Sequence, residues 1–381
     1  MIFALFLLAQ AVAFGTPLHF HRDLACSEKP FYFSTDVAEG NYDVTATFGD
    51  RNVASSNTVK AEGRRLMIEK LDTAKGKFEK RTFTVNVRYS AISGGTEVKL
   101  KPREIGSPRW DRQLTLEFNG ARPCVSDIDI AASKSAITVY LAGDSTVVDQ
   151  DNEPWAAWGQ MLPRFFKPGV AIANHAESGE TLRSFVGERR LEKVLSQIGA
   201  GDYLFIQFAH NDQKQGGNYA EPFGSYKDRI KQFIVEARKR DAIPVLVTSM
   251  NRRTFDADGK ITNSLGDYPE AMRQVAREES VALIDLHAMS KTLFEAMGPE
   301  ESKHAFVYYP EEGLKDDTHF NNYGAYELAR CVVEGIKANK LGITKLLADD
   351  FGSFDPAHPD AFSGWKLPMS PAITMVGPEG R

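Results

Sequence analysis

Apolar and polar positions follow two different patterns along the chain, and the change lies near residue 130. Between residues 30 and 118 the apolar positions come in short runs, several of which alternate with polar ones, as from Phe83 to Val87. Alternation with a period of two predicts half-buried strands. Turn residues such as Gly49, Gly76 and Gly94 separate the runs at a spacing typical of a β-sandwich. The predicted strands lie at 31–34, 42–48, 65–68, 81–89, 97–100 and 113–118.

The second half alternates continuous apolar runs with amphipathic helical patterns. Ile230, Phe233, Ile234 and Ala237 recur at helical spacing, and a similar pattern returns at 325–336. Uninterrupted apolar runs are typical of parallel strands that helices cover on both faces. The pattern predicts a three-layer α/β/α domain with a five-stranded parallel sheet. Its strands are expected at 137–142, 170–173, 203–208, 243–248 and 281–284.

These patterns divide the chain into a β-sandwich domain at 16–130, an α/β/α domain at 131–345 and an irregular tail at 346–381. The apolar stretch from Ile2 to Phe14 is too short to span a bilayer. Ala11 and Ala13 supply a small-x-small cleavage signal, so residues 1–15 are predicted to be a signal peptide. The alternative is an N-terminal strand. We therefore expect a secreted or periplasmic protein without a membrane span.

Charge and cysteine content exclude several classes of function. The net charge is −5 and no long basic run occurs, which argues against nucleic acid as a partner. The three cysteines are not clustered, which argues against a zinc or iron–sulfur site. Cys26 and Cys124 are compatible with a disulfide in an exported protein, and the odd count leaves the pairing open. The P-loop, G-x-G-x-x-G, H-E-x-x-H and G-x-S-x-G motifs are absent from the sequence.

Polar residues follow three of the predicted parallel strands, at the edge where doubly wound sheets bind ligands. The sequence GDST at 143–146 places Ser145 at a strand tip, either as a nucleophile or as the cap of a helix. Gly179 follows the second strand, where it either presents its N–H to a ligand or forms an ordinary turn. Asn211 follows the third, where its amide either stabilises developing negative charge or forms an Asx-turn.

A carboxylate and a histidine lie three residues apart near the C-terminus, at Asp316 and His319. In a turn or one helical turn both side chains lie on one side. The carboxylate then holds the imidazole through Nδ1–H and leaves Nε2 free as a base. Asp317 competes for this role, and the other reading is a solvated loop that caps the next helix. Each motif alone is weak, but together they supply what acyl transfer needs.

The order of these four blocks resembles that of the SGNH, or GDSL, hydrolases. The GDST, HND and DxTH sequences at 143–146, 210–212 and 316–319 are most similar to the rhamnogalacturonan acetylesterase branch. The stretch at 158–163 also looks like that branch, and the resemblance covers about residues 137–341. The first domain resembles the galactose-binding-like β-sandwich that often precedes such esterase domains.

This resemblance implies a flavodoxin-like SGNH domain and a serine esterase that needs no metal or organic cofactor. The implied catalytic residues are Ser145, Asp316 and His319. The implied oxyanion donors are Ser145, Gly179 and Asn211. The candidate substrate contacts are Thr146, His210 and Trp155.

The implied substrate is an acetylated plant cell-wall polysaccharide, with rhamnogalacturonan or pectin favoured. An acylated xylan, a lipid ester and a non-enzymatic carbohydrate-binding role are the alternatives. Trp110, Trp155 and Trp158 either stack on sugar rings or lie in the core, which is the commoner place for tryptophan. The first domain either binds carbohydrate or only buttresses the catalytic domain.

Overall fold

Two four-stranded antiparallel sheets form the first part of the protein. The computed structural model describes residues 17–21 and 26–379, so the predicted signal peptide lies outside the described residues. The strands of this part are β1 (Leu18–His21), β2 (Phe31–Asp36), β3 (Gly40–Gly49), β4 (Ser55–Ala61), β5 (Arg65–Thr73), β6 (Phe78–Val87), β7 (Ala91–Ile92), β8 (Thr96–Glu97), β9 (Gln113–Arg122) and β10 (Val125–Ala132).

The core of this part lies between the two sheets. One sheet has the strand order β1-β10-β3-β6 and the other has the order β2-β9-β4-β5. Alternate side chains of β3, namely Val44, Ala46 and Phe48, are fully buried, because successive residues of a strand point to opposite faces. Phe48 contacts Phe118 of the opposite sheet, with 6.2 Å between ring centroids. These contacts explain the short alternating runs of the first half of the sequence.

Three strands of the sandwich, β1, β4 and β10, are not predicted by the sequence. Strand β4 is polar, and its Asn57 and Lys60 are buried because both have partners. Asn57 accepts a hydrogen bond from the Cys124 N–H at 2.7 Å, and Lys60 donates one to the Ser370 hydroxyl. Strand β10 occupies the segment that had been assigned to the domain boundary. It pairs with β3 as far as Ala132, so the sheet extends past residue 130.

The second part contains the five-stranded parallel sheet that the sequence predicted, with the order β12-β11-β13-β14-β15. Its strands are β11 (Ile137–Gly143), β12 (Val170–Asn174), β13 (Tyr203–Gln207), β14 (Ile243–Val247) and β15 (Ala282–Ile284). The antiparallel pair β16 (Phe306–Tyr309) and β17 (Leu314–Phe320) follows. The helices are α1 (Trp158–Met161), α2 (Leu182–Gly187), α3 (Arg190–Leu195), α4 (Lys227–Arg238), α5 (Tyr268–Glu278), α6 (Leu286–Glu301) and α7 (Asn322–Ala338). Short helical turns lie at Pro102–Glu104, Leu162–Phe165, Pro222–Tyr226, Ser302–Ala305, Pro310–Glu312, Gly342–Leu346 and Phe362–Gly364.

Helices cover both faces of the parallel sheet. Val139 and Leu141 of β11 belong to an apolar cluster that includes Val332 of α7. Tyr140 belongs to a second cluster, on the other face, that includes Phe233 of α4. The predicted α/β/α domain, preceded by a β-rich region, is therefore confirmed.

The tail (residues 346–379 in the described part) is irregular, apart from the helical turn at Phe362–Gly364. It nevertheless contacts both parts of the molecule. The Ser370 hydroxyl accepts a hydrogen bond from Lys60 of β4 at 2.7 Å, and the Thr374 carbonyl accepts one from the Trp155 indole at 3.0 Å. In residues 17–21 and 26–379, no helix is both long enough and apolar enough to cross a membrane.

Buried charges join the two parts. Arg64 of the first part forms an ion pair with Glu153 of the second, and Lys60 lies 3.4 Å from the same carboxylate. Burial alone would raise the pKa of Glu153, but Arg64 and Lys60 outweigh it and hold that pKa below its ordinary value. Asn322, the first residue of α7, donates to Glu153 at 2.9 Å. One carboxylate therefore connects β4, the loop after β11 and the last helix.

Cys26 and Cys124 form a disulfide that closes a separation of 98 residues. We predict that the double variant Cys26→Ser/Cys124→Ser unfolds with a free energy lower by about 4 to 5 kcal/mol, since the cross-link restricts the unfolded chain. Urea denaturation measures the difference. Reductant should weaken the wild type by a similar amount and leave the variant unchanged. Equal stability of the two proteins in the absence of reductant would contradict the prediction.

Candidate active site

Ser145 lies in a tight turn directly after β11. The Val147 N–H donates to the Asp144 carbonyl at 3.0 Å, which closes the turn. Gly143 must be glycine, because a Cβ there would lie 2.5 Å from a methyl carbon of Val147. The next helix begins only at Trp158, so the structure does not support the reading in which Ser145 caps a helix.

Ser145, His319 and Asp316 form one continuous chain of contacts. Ser145 Oγ lies 2.9 Å from His319 Nε2, and His319 Nδ1 lies 2.9 Å from Asp316 Oδ2. Asp316 Oδ1 accepts hydrogen bonds from the backbone N–H groups of Thr318 and His319, at 2.8 and 2.9 Å. All three side chains of the chain are buried. A carboxylate fixed in this way favours the tautomer with the proton on Nδ1 and leaves Nε2 to accept from the serine hydroxyl.

The Asp316–His319 segment bulges out of a strand pair, where the sequence suggested a turn or one helical turn. Phe306 of β16 pairs with Phe320, whereas Tyr308, two residues on, pairs with Lys315. The extra residues of β17 therefore leave the ladder, as in a β-bulge, which re-aims side chains next to a site. The bulge brings both the imidazole and its carboxylate to the same side.

Asp317 does not compete for His319. Its carboxylate accepts from Arg253, with Oδ1 2.7 Å from Nε, and its side chain is 43% exposed. Of the two aspartates, Asp316 is the one that contacts the His319 ring, and its catalytic role stays a prediction.

The residues predicted to bind an oxyanion follow the two strands that flank β11. Gly179 has a φ of +81°, a conformation that favours glycine, in the turn formed by residues 177–180 (the Gly179 turn). The Glu180 N–H donates to the Glu177 carbonyl at 3.2 Å and closes that turn. Asn211 Nδ2 donates to the Glu180 carbonyl at 3.0 Å. Since a primary amide has two N–H groups, this bond anchors Asn211 and leaves a second donor for a ligand.

The Gly179 turn is clamped by cations from the first part of the protein. They lie on the loop between β8 and β9 (residues 98–112, the basic loop). Lys101 Nζ and Arg103 Nη2 both donate to the Ser178 carbonyl, at 2.7 and 2.6 Å. Arg103 Nε and Arg109 Nη1 donate to the two oxygens of Glu177, each at 2.9 Å. Burial alone would raise the pKa of Glu177, but the arginines, Arg109 foremost, hold it well below its usual range.

Three further carboxylates support the turns beneath the site. Asp144 accepts from the backbone N–H and the hydroxyl of Thr146, at 2.9 and 2.7 Å, and burial raises its pKa. Asp212 accepts from the Leu182 N–H at 2.9 Å, and burial raises its pKa to about 7. Burial likewise raises the pKa of Glu180 to about 7. Asp144 and Asp212 thus hold backbone in place beneath the reacting atoms, whereas Glu180 accepts a hydrogen bond from the Ser184 hydroxyl at 2.6 Å.

The structure corrects one predicted substrate contact and places the other two. Thr146 is fully buried, and its hydroxyl is held between Asp144 and Gln207, so it supports the turn instead of facing a substrate. His210 is buried, and burial lowers its pKa well below the usual value, so its ring is neutral. Trp155 packs edge-on against His319, with 5.9 Å between ring centroids, and lines a cavity beside it. Substrate contact by His210 and Trp155 remains a prediction. Trp110 and Trp158 are buried, as core residues are.

Sequence reasoning missed the basic loop entirely. Arg103 lies 74 residues before its partner Glu177, in a different domain, and no local pattern connects them. Glu177 and Glu180 lie on either side of Gly179, in the block that the resemblance identified, but nothing in the sequence indicates their partners in the basic loop. Among residues 17–21 and 26–379, His, Cys, Asp and Glu side chains form no group of three that could hold a metal ion.

Known proteins that are similar to this chain include a rhamnogalacturonan acetylesterase. Residues 141–325 match the model of the GDSL-like lipase/acylhydrolase family. The chain is 46% identical over 213 residues to the rhamnogalacturonan acetylesterase RhgT of Bacillus subtilis, a match that covers 54% of this chain and 91% of RhgT. It is 39% identical over 211 residues to the probable rhamnogalacturonan acetylesterase YesY of the same organism, covering 54% and 95% of the two chains. The crystal structure of Bacillus subtilis YxiM is similar over 82% of this chain and 81% of that one, with 26% identity and a TM-score of 0.52.

The two neighbouring aspartates provide a matched pair of variants. We predict that Asp316→Asn lowers kcat for a small aryl acetate by about 10⁴-fold, because an amide no longer fixes the Nδ1–H tautomer of His319. Asp317→Asn should retain nearly full activity, since its carboxylate faces Arg253. Steady-state hydrolysis of the aryl ester measures both. An inactive Asp317→Asn beside an active Asp316→Asn would reverse the assignment.

Asn211 supplies the second prediction of this site. Asn211→Ala removes one oxyanion donor, and we expect kcat to fall by about 100- to 1000-fold. Asn211→Asp preserves the shape but replaces the donor by a negative charge, so its kcat should fall at least as far. Circular dichroism checks that both variants are folded. Wild-type turnover by Asn211→Asp would show that this side chain donates nothing to the transition state.

Proposed function

Because this chain belongs to the GDSL-like lipase/acylhydrolase family and is a carboxylic ester hydrolase, we propose that it removes acetyl groups from a plant cell-wall polysaccharide, rhamnogalacturonan. The observation that carries the proposal is the chain of 2.9 Å contacts from Ser145 through His319 to Asp316, beside the Gly179 turn. The 46% identity to RhgT and the 39% identity to YesY support the substrate.

The proposed reaction proceeds in two steps. Ser145 Oγ attacks the ester carbonyl carbon while His319 Nε2 takes the hydroxyl proton, and the carbonyl oxygen becomes an oxyanion. The carbon–oxygen bond to the sugar then breaks, and His319 returns the proton to the departing sugar hydroxyl. A water molecule, deprotonated by His319, then attacks the acetyl-enzyme; the bond to Ser145 Oγ breaks, His319 returns the proton to that oxygen, and acetate leaves. Asp316 stabilises the imidazolium in both steps.

Three donors are proposed to receive the oxyanion: the N–H of Ser145, the N–H of Gly179 and the side chain of Asn211. They belong to turns at the ends of three neighbouring strands of one sheet, so their positions are fixed before substrate arrives. Donors fixed in a water-poor site stabilise developing charge without having to reorient during the reaction.

The surroundings of the site suit a sugar better than an acyl chain. A cavity of 240 Å³ lies against Trp155 and Ser178. Apart from Trp155 and tail residues, polar and charged side chains form its wall: Arg103, Arg109, Gln150, Asp151, Asn152, Glu177 and Ser178. Carbohydrate hydroxyls find hydrogen-bond partners in such a wall, whereas an apolar acyl chain would leave these polar groups unpaired.

We further propose that the protein is exported to the periplasm or the medium. The apolar stretch from Ile2 to Phe14 and the disulfide between Cys26 and Cys124 support export, because disulfides persist in oxidising compartments.

Acetate release tests the proposed function. The wild type should release acetate from acetylated rhamnogalacturonan faster than from acetylated xylan, and Ser145→Ala should release none above background. Cleavage of a small aryl acetate without release from either polymer would keep the serine esterase and overturn the polysaccharide substrate. Serine-dependent release from xylan alone would overturn the choice of rhamnogalacturonan.

A further inference from the structure

Building on the proposed function, we propose that Arg103 and Lys101 of the basic loop form a carboxylate subsite for a uronic acid unit of the substrate, which Glu379 of the tail occupies in its absence. The subsite would make the enzyme selective for acidic polysaccharides. It would also give the first domain a direct part in substrate recognition.

Arg103 of this subsite lines the 240 Å³ cavity, which adjoins the catalytic residues. Gln150 in its wall donates to the Ser145 carbonyl at 3.2 Å and lies 3.5 Å from the Ser178 hydroxyl. Trp155, in the same wall, packs against the ring of His319. A polymer whose acetyl ester lies at Ser145 therefore extends past this cavity.

Arg103 has one nitrogen to spare for a ligand. Its Nε and Nη2 are used on Glu177 and on the Ser178 carbonyl. The remaining Nη1 lies 2.6 Å from Glu379 Oε1, and Lys101 Nζ lies 3.9 Å from Glu379 Oε2. A guanidinium suits this role because its planar set of donors matches a carboxylate.

The side chain of Glu379 is more exposed than those of the two cations that it contacts. The side chain of Glu379 is 63% exposed, whereas those of Arg103 and Lys101 are 32% and 16% exposed. The cations are held by the Gly179 turn, and the carboxylate reaches them from a solvent-facing part of the tail. Glu379 can therefore leave without disturbing the groups that hold the cations.

The charges around the subsite allow a ligand carboxylate to replace that of Glu379. Fixed acids already pair with the cations of the basic loop, and a ligand carboxylate that displaces Glu379 leaves the total charge unchanged. The fixed pairs are Lys101 with Glu180, Arg103 with Glu177, and Arg109 with Glu177 and Asp151.

The position of Glu379 relates the subsite to the reacting ester. Its Oε2 and Cβ lie 3.1 and 3.2 Å from the point that a Cβ on Gly179 would occupy. An anion bound there lies against the turn that presents the Gly179 N–H. Galacturonate units of rhamnogalacturonan carry a carboxylate, whereas the xylose backbone of xylan carries none, so the subsite favours the former.

Inhibition of a neutral reaction tests the subsite without using an acetylated polymer. The probes are a galacturonate trisaccharide without acetyl groups and its full methyl ester, each added to hydrolysis of a neutral aryl acetate. We expect the acid to compete with the ester substrate, and the methyl ester to bind about ten-fold more weakly, the effect of one charge-assisted hydrogen bond. Added salt should weaken inhibition by the acid and leave inhibition by the methyl ester unchanged.

Glu379→Gln provides the decisive variant, and Glu300→Gln is its control. Glutamine removes the competing charge of the tail, so the inhibition constant of the acid should fall about ten-fold while that of the methyl ester stays constant. Glu300 is an exposed glutamate paired with Lys303, outside the cavity, and its variant should behave as the wild type. Equal inhibition by acid and methyl ester, in the wild type and in Glu379→Gln, would overturn the subsite.

The outcomes separate this subsite from the function on which it rests. Serine-dependent acetate release from rhamnogalacturonan with equal binding of the two probes keeps the function and overturns the subsite. Selective inhibition by the acid without acetate release from any polymer supports the subsite and overturns the proposed substrate.

Discussion

Ion pairs and hydrogen bonds between the basic loop and the Gly179 turn determine how this active site is built. Lys101 and Arg103 hold the Ser178 carbonyl, and Arg103 and Arg109 hold Glu177, so the backbone on both sides of the turn is fixed from another domain. Such pairs add little net stability because their desolvation is costly, yet removing one partner leaves a buried charge uncompensated. Their effect is to select one conformation of the turn, with Gly179 in place beside the serine.

The sequence predicted the parallel sheet and the positions of the reactive residues because both are local. A continuous apolar run reveals a buried parallel strand, and the residue after it necessarily lies at the carboxyl edge of the sheet. The Asp316–His319 pair was also readable, since the two side chains lie three residues apart. A bulge brings them together: between the same two residue pairs, β17 has more residues than β16, so the extra residues of β17 leave the pairing.

The remaining features depend on contacts between distant parts of the chain. Strand β4 has a polar sequence, and its Lys60 is buried because partners such as Glu153 and Ser370, far along the chain, lie against it. The sequence of the basic loop is typical of a solvated surface loop. Its cations are held because Glu177 and Glu180 of the second domain lie against it. Thr146 was read as facing the substrate, and only the position of Gln207 on a neighbouring strand shows that its hydroxyl is already used. Sequence patterns report which residues are apolar, but they do not report which polar residues find partners.

The clamp on the Gly179 turn has a consequence for protein engineering. The active site extends beyond the second domain. That domain contains the reactive serine, histidine and aspartate, whereas residues 98–112 of the first domain hold the Gly179 turn beside them. A chimera made by joining this second domain to the sandwich of a relative would keep every reactive group and still lose the matched loop. The useful crossover point therefore lies before residue 98, inside the first domain, so that the loop and the turn it holds are inherited together.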